Sequence, residues 1–403
     1  MPGVLPSQPA GSAPVLYLMY PPGNKPATVV AVRIAAAVFL WYICVTFNGN
    51  GFLERHMKAR TLATAIVMTL GTVPLAAQES SPRIEFGGIE LTIGGRVQTQ
   101  FNTTSIDDVQ GSELILRRAR IEIEARLNDF VSLVLEPDFG GEELDMKDTY
   151  VQLSFDPALQ VIAGKSKRPF SRVELTSSKR ILPVERGLRI RGLGAFDEYA
   201  LVNGLDYSDR EIGVLLSGQP DDAPLGFGYA VGMYRGPLHG EIDAATYQYV
   251  ARVTLAPTDM LSFGASWSSR DFAESTAGAI ERGNAFEIDV EYGTFAPGLH
   301  VIAEAAFGDV DPFSDTSFSG AQGWLAWRSG ALGARVTAIE PLARVSWGDI
   351  ESDIPTPGGI LFTPGVNVYF GPLNRLMVSY DIWRGANDTT DAQSLKIMLQ
   401  AAF

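Results

Sequence analysis

Between Leu114 and Leu127 the chain reads LILRRARIEIEARL, and its side chains sort by alternation. Ile115, Ala119, Ile121, Ile123, Ala125 and Leu127 fall on one face; Arg118, Arg120, Glu122, Glu124 and Arg126 fall on the other. A period of two is strand behaviour. Segments of this kind recur from 89–103 and 113–127, through 159–166 and 208–218, to 332–348 and 393–403, and total sixteen. Pro341 interrupts the thirteenth, which predicts a kink or bulge there.

Every second connection is a short turn, of the type ND, DPAL, QPDDAP, PTDM, APG, SG or GPLN. Glycine supplies positive φ, proline a fixed φ, and Asx side chains cap the turn. The connections between them are mostly longer and more polar. An even number of strands, short turns on one side and longer loops on the other are the signature of an outer-membrane β-barrel. Closure leaves no free edge, so backbone groups are satisfied inside lipid. A soluble sandwich gives the same alternation with its apolar face inward, but the strand count makes it awkward. No repeat of fixed period points to a propeller or solenoid. Phe101, Tyr150, Phe155, Tyr234, Trp267, Phe307, Trp324, Trp327, Trp347, Tyr369, Phe370, Tyr380 and Trp383 fall near strand ends, where girdles at the two lipid boundaries are expected.

The barrel is expected over 89–403, preceded by a periplasmic segment at 78–88. Residues 57–77 read as a secretory signal: Lys58 and Arg60 lead an apolar core, and Ala76 and Ala77 offer a small-residue cleavage site. Residues 1–56 have two readings. Their apolar run from Val29 to Phe47 approaches a membrane-spanning length, as in an anchor. Alternatively translation starts at Met57 and the upstream stretch is a misassigned start. Export predicts residence in the outer membrane.

The formal charge is −14, and residues 1–77 hold five bases against one acid, so the remainder is more acidic still. That excludes nucleic acid as a general partner, which needs a basic footprint. It also makes one stretch conspicuous. From Lys165 to Arg191 nine bases face only Glu174 and Glu185. This connection, the third long one, exceeds the length at which a structureless loop is usually functional.

Within it, GKSKRPFSRVELTSSKRILPVER resembles the signature of the phosphate-selective porin O and P family, and LRRARIEIEARL and KDTYVQLSF resemble that family's early strands. The resemblance implies a sixteen-stranded barrel, commonly a homotrimer, with loop three folded into the lumen as a constriction. It also implies passage of phosphate or other small anions along a ladder of bases. Rings of Arg and Lys select anions at a narrow point, and several modest sites conduct better than one deep one. The candidate filter is Lys165, Lys167, Arg168, Arg172, Lys179, Arg180 and Arg186, with Arg118 and Arg120 on the wall. A charge run also suits a solvated outer loop, or one that binds lipopolysaccharide in the surrounding lipid. Three other functions stay open: a non-selective or cation-tolerant porin, a plugged structural or adhesive barrel, and a barrel hydrolase. The hydrolase is weakened because beyond Met57 the histidines are only His239 and His300. Asp309, Asp311 and Asp315 lack the ligand spacing of a calcium hand, and Cys44, the single cysteine, precedes the expected mature chain. Neither an enzymatic activity, a metal nor a cofactor is expected.

Overall fold

The computed structural model describes residues 83–403, apart from 142, 238–245, 274–278, 352–357 and 387–389. The upstream segment, the signal sequence and His239 lie outside the described residues. Among those described, seventeen strands form one antiparallel sheet. They are β1 (Arg83–Phe86), β2 (Ile89–Ile106), β3 (Val109–Arg126), β4 (Val131–Asp138), β5 (Asp145–Asp156), β6 (Leu159–Lys167), β7 (Arg210–Gly218), β8 (Gly228–Arg235) and β9 (Tyr247–Thr258). They continue as β10 (Leu261–Ala273), β11 (Ile280–Tyr292), β12 (Gly298–Asp311), β13 (Thr316–Arg328), β14 (Ala338–Glu351), β15 (Gly359–Tyr369), β16 (Arg375–Gly385) and β17 (Asp391–Ala402). Each of β2 to β17 pairs with its neighbours in sequence, and β17 returns to β2, from Ala392↔Ile106 to Ala402↔Arg96. That pairing closes a sixteen-stranded barrel. Phe403 completes the seam by exchanging two backbone hydrogen bonds of 3.1 Å with Gly95.

The short strand β1 lies within the expected N-terminal segment and pairs with the first residues of β2. The first long-side connection is tighter than expected. Asp107 and Asp108 alone join β2 to β3, with Asp107 at φ 47°, a left-handed conformation that Asp tolerates. The thirteenth predicted segment begins later, at Ala338, and Pro341 sits in unbroken register with Val366. The ladder to β13 ends at Leu342, so a missing N–H at Pro341 disturbs no bond on that side.

Alternation divides the wall as a membrane barrel requires. Val345 and Trp347 face outward and stay exposed, whereas Arg344 and Ser346 turn inward and are buried. One irregularity changes the inward set. β3 carries a bulge opposite Gln98 and Thr99, which leaves Arg117 without a register partner. Above it, Leu114 and Leu116 are exposed; below it, Arg118 and Arg120 are buried. An extra residue in one strand flips the parity of everything beyond it. Ile115, expected on the lipid face, therefore shares parity with the inward Glu113.

The aromatic expectation also divides. Phe155, Trp267, Phe307, Trp327 and Trp347 are exposed on the outer face. Tyr234, Trp324, Tyr369 and Trp383 are at most 2% exposed and point into the barrel. They are not girdle residues, because the lumen itself contains apolar chain to pack against.

Candidate functional site

That chain is the connection from β6 to β7, residues 168–209, which is loop three. It contains two short helices, α1 (Arg172–Leu175) and α2 (Glu198–Gly204). Ser171 caps α1 by accepting from the Glu174 N–H at 3.2 Å. Asp197 caps α2, accepting from Ala200 N–H at 3.1 Å and from Leu188 N–H at 3.0 Å. Between the bases the loop carries Phe170, Val173, Ile181, Leu182, Val184, Leu201 and Val202, each at most 1% exposed. Phe170, Leu201 and Val202 pack on Tyr234, Val250, Ala285, Ala306 and Phe318 of the wall. Val173, Ile181 and Leu182 pack on Ile302, Trp324, Ala326 and Leu342, and Val184 on Met377 and Met398. Burying this surface is what draws the loop inward.

Irregular backbone inside a barrel must still find hydrogen-bond partners. Wall side chains supply them. Asn367 donates to the Leu182 carbonyl at 2.9 Å, and Arg344 to the Glu185 carbonyl at 2.8 Å. Arg375 donates to the carbonyls of Lys179 and Ile181, at 3.1 and 2.7 Å. Glu304 accepts from the Ser171 hydroxyl and, at 2.9 Å, from the Val173 N–H.

Most of the expected filter bases are struts of this assembly. Arg168, 1% exposed, binds the Asp206 carboxylate at 2.6 Å, Gln248 at 2.5 Å and the Ser208 carbonyl, which joins the two ends of the loop. Arg172 pairs with Asp289 and, at 2.7 Å, with Glu291. Arg186 donates to the carbonyls of Val173 and Thr176 and lies 3.9 Å from Glu174. Lys167 lies 3.7 Å from the same carboxylate. Lys179 meets Glu122 at 2.6 Å. On the wall, Arg120 grips Asp138 at 2.6 Å and Glu136 at 2.9 Å. Arg118 has a weaker hold, donating to Gln98 at 2.7 Å and standing 3.9 Å from Glu185. Arg180 is exposed and makes no ion pair among the described residues; its guanidinium stands 5.7 Å from the Phe295 ring centroid. Lys165 stands apart from the others. It pairs across the ladder with the exposed Ile212, on the outer face, and reaches Asp145 at 3.4 Å.

Other members were not singled out from the sequence. Arg117 binds Glu185 through two bonds of 2.7 and 3.1 Å, and only the bulge turns it inward. Arg96 bridges Ser178, Glu122 and Glu136, and Arg210 binds Asp148 at 2.7 Å. The alternating polar run RVQTQFN at Arg96–Asn102 was the available signal for Arg96. Along β2 to β7 and the loop three segment packed on them, therefore, Arg96, Arg117, Arg118, Arg120, Lys167, Lys179, Arg186 and Arg210 face Glu122, Glu136, Asp138, Asp148, Glu174 and Glu185. Cations exceed carboxylates, inside a chain whose overall charge is negative.

Titration in the loop follows from these partners. Burial alone would raise the Glu185 carboxyl, but Arg117, then Arg118 and Arg189, overcome it and hold it well below the usual carboxylate range. Glu174 is likewise held down against burial, by Arg186 and Lys167 and by the Tyr199 hydroxyl, which donates at 2.5 Å. Glu198 in α2 goes the other way. Burial raises it, and the neighbouring Glu304 raises it further. Gln322 bridges these two carboxyls, donating at 2.6 and 3.2 Å.

The sequence profile of the phosphate-selective porin O and P family matches residues 91–294, which carry β2 to β11 and all of loop three. The chain belongs to this family. Among solved structures, this porin is similar to an anion-selective porin from Comamonas acidovorans, with 12% identity and a TM-score of 0.57. That match covers 78% of this chain and 100% of the other. It is also similar to the outer-membrane channel DcaP of Acinetobacter baumannii, at 11% identity and TM-score 0.56, covering 80% and 100%. OmpT of Vibrio cholerae matches at 14% identity and TM-score 0.52, again over 80% and 100%. At these identities the structures establish a shared fold. No curated protein sequence matches the chain. Family and fold together make this an outer-membrane channel. His300 has a structural partner, Glu291 at 2.8 Å, and packs edge-on against Phe295.

Proposed function

We propose that this porin passes small anions, phosphate among them, by passive diffusion past loop three. One observation carries the reading: loop three, bound to the inside of the wall, adds Lys179 and Arg186 to a cation-rich strip along β2 to β7 that already holds Arg96, Arg120 and Lys167. Guanidinium groups whose charges are only partly matched lower the cost of bringing an anion into a narrow, weakly screened passage. No single base holds the anion deeply, which suits conduction. A homotrimer in a lipopolysaccharide-bearing membrane is the assembly that the family reading implies.

Reversal potential across a KCl gradient in a planar bilayer tests this. Chloride preference at low salt that fades at high salt supports it, because the Debye length falls from about 10 Å at 0.1 M to about 3 Å at 1 M. Cation preference assigns the lumen to its carboxylates. A second reading, a plugged structural barrel, is favoured by the dense apolar packing of the loop on β8 to β17. A folded barrel without conductance would select it.

A further inference from the structure

Loop three reaches far down the barrel. Lys179 binds Glu122, near the end of β3, and Arg375 at the start of β16 binds the carbonyls on either side of Arg180. Phe295, beneath Arg180, belongs to the short turn between β11 and β12. The short-turn end is the periplasmic end. Three arginines meet there. The Phe295 carbonyl accepts from Arg328 at 2.6 Å. Arg328 lies 3.7 Å from the centroid of the Tyr369 ring, and Arg375 lies 5.7 Å from the same ring.

Among the described residues none of the three makes an ion pair, in a lumen where most other inward arginines do. The nearby carboxylates are already engaged: Glu340 by Tyr369 and Asn367 at 2.7 Å each, Glu291 by Arg172 and His300, and Glu122 by Lys179. Arg375 is 1% exposed, and its Nε–H and that of Arg328 have no acceptor among the described residues. A buried guanidinium with an unmet donor is costly unless a ligand satisfies it.

We propose that Arg180, Arg328 and Arg375, framed by Phe295 and Tyr369, form an oxyanion-binding site at the periplasmic mouth. The ligand is a small anion that a guanidinium fork can grip, either a carboxylate or a phosphate. Arg180 keeps its guanidinium fork open beside the Phe295 ring, while Arg328 and Arg375, whose terminal nitrogens already donate to Phe295, Tyr369, Lys179 and Ile181, each retain an unmet Nε–H for the anion. The site deepens the anion-channel reading and can be tested apart from it.

The test is calorimetric titration of the porin, purified in detergent, with sodium phosphate and separately with sodium benzoate. Saturable binding of either probe, weakened about tenfold in Arg180→Gln, is the expected result. Arg180 is exposed, so this variant does not compromise the barrel; Arg328→Gln, checked for heat-modifiable folding, provides a second variant. Tighter benzoate assigns a carboxylate ligand, and tighter phosphate assigns a phosphate. Absence of saturable binding, or binding equal in wild type and both variants, overturns the site. Reversal potentials are read separately. Binding that both variants weaken, in a cation-selective channel, would retain the site and overturn the anion-channel reading.

Discussion

Replacing Glu185 with Gln removes one charge from the most heavily paired position in loop three. Its carboxylate neutralises Arg117 directly and Arg118 at 3.9 Å, while its backbone carbonyl, which holds Arg344, is untouched by the substitution. The local cost is that of breaking a buried pair, about 3–5 kcal/mol. Closure of the barrel and three apolar contact regions oppose any release of the loop. The electrical effect is what the assay reads. One extra positive charge acting about 8 Å away through water is worth about 0.5 kcal/mol. That is an enrichment of anions by a factor of about 2.3 and an equal depletion of cations, so the chloride-to-potassium permeability ratio rises about fivefold at low salt. The reversal potential at a mean concentration near 0.1 M measures this, with a repeat near 1 M where screening suppresses it. An unchanged ratio would mean that the permeating ion does not pass Arg117 and Arg118, and the strip along β2 to β7 would not be the path.

Three further outcomes follow from the geometry. Glu198 has a raised carboxyl in the folded loop, so the stability it contributes is complete in acid and is lost as pH climbs through its folded value; current noise from loop three should increase toward alkaline pH, and Glu198→Gln should flatten that rise. Leu116→Arg should lower stability, read from the urea unfolding curve in lipid vesicles, by up to about 2–4 kcal/mol, because the bulge places Leu116 on the lipid face; a tolerated arginine would put it in the lumen. Brominated lipid should quench Trp327, 48% exposed, and spare Trp324, 1% exposed, so Trp327→Phe should remove far more of the quenching than Trp324→Phe does.

The barrel was legible because each strand is a local pattern repeated sixteen times, with turn residues marking the short side. The bulge at Arg117 was not legible. RR in LRRAR permits either parity, and only the pairing with β2 decides it. Loop three announced itself by charge, yet charge described its role incompletely. Phe170, Val173, Ile181, Leu182 and Val184 have no strand period, and their partners, such as Trp324 and Met398, lie far along the chain. Whether a base is a strut or remains open to an ion depends on which carboxylate faces it across the lumen. Asp289 and Glu291 meet Arg172 from β11, a pairing no spacing reveals.

The tip of loop three also touches both strands of the closing seam. The Ser178 carbonyl accepts from Gln98 on β2, and the Lys179 carbonyl accepts from Gln400 on β17, each at 3.1 Å. Gln98 and Gln400 then bond each other at 2.6 Å, 302 residues apart in the chain. Contacts of such separation are the slowest to form, because the search entropy precedes any reward. Loop three is thus tied to both strands of the ring closure, so its tip bears on the integrity of the seam as well as on what crosses the pore.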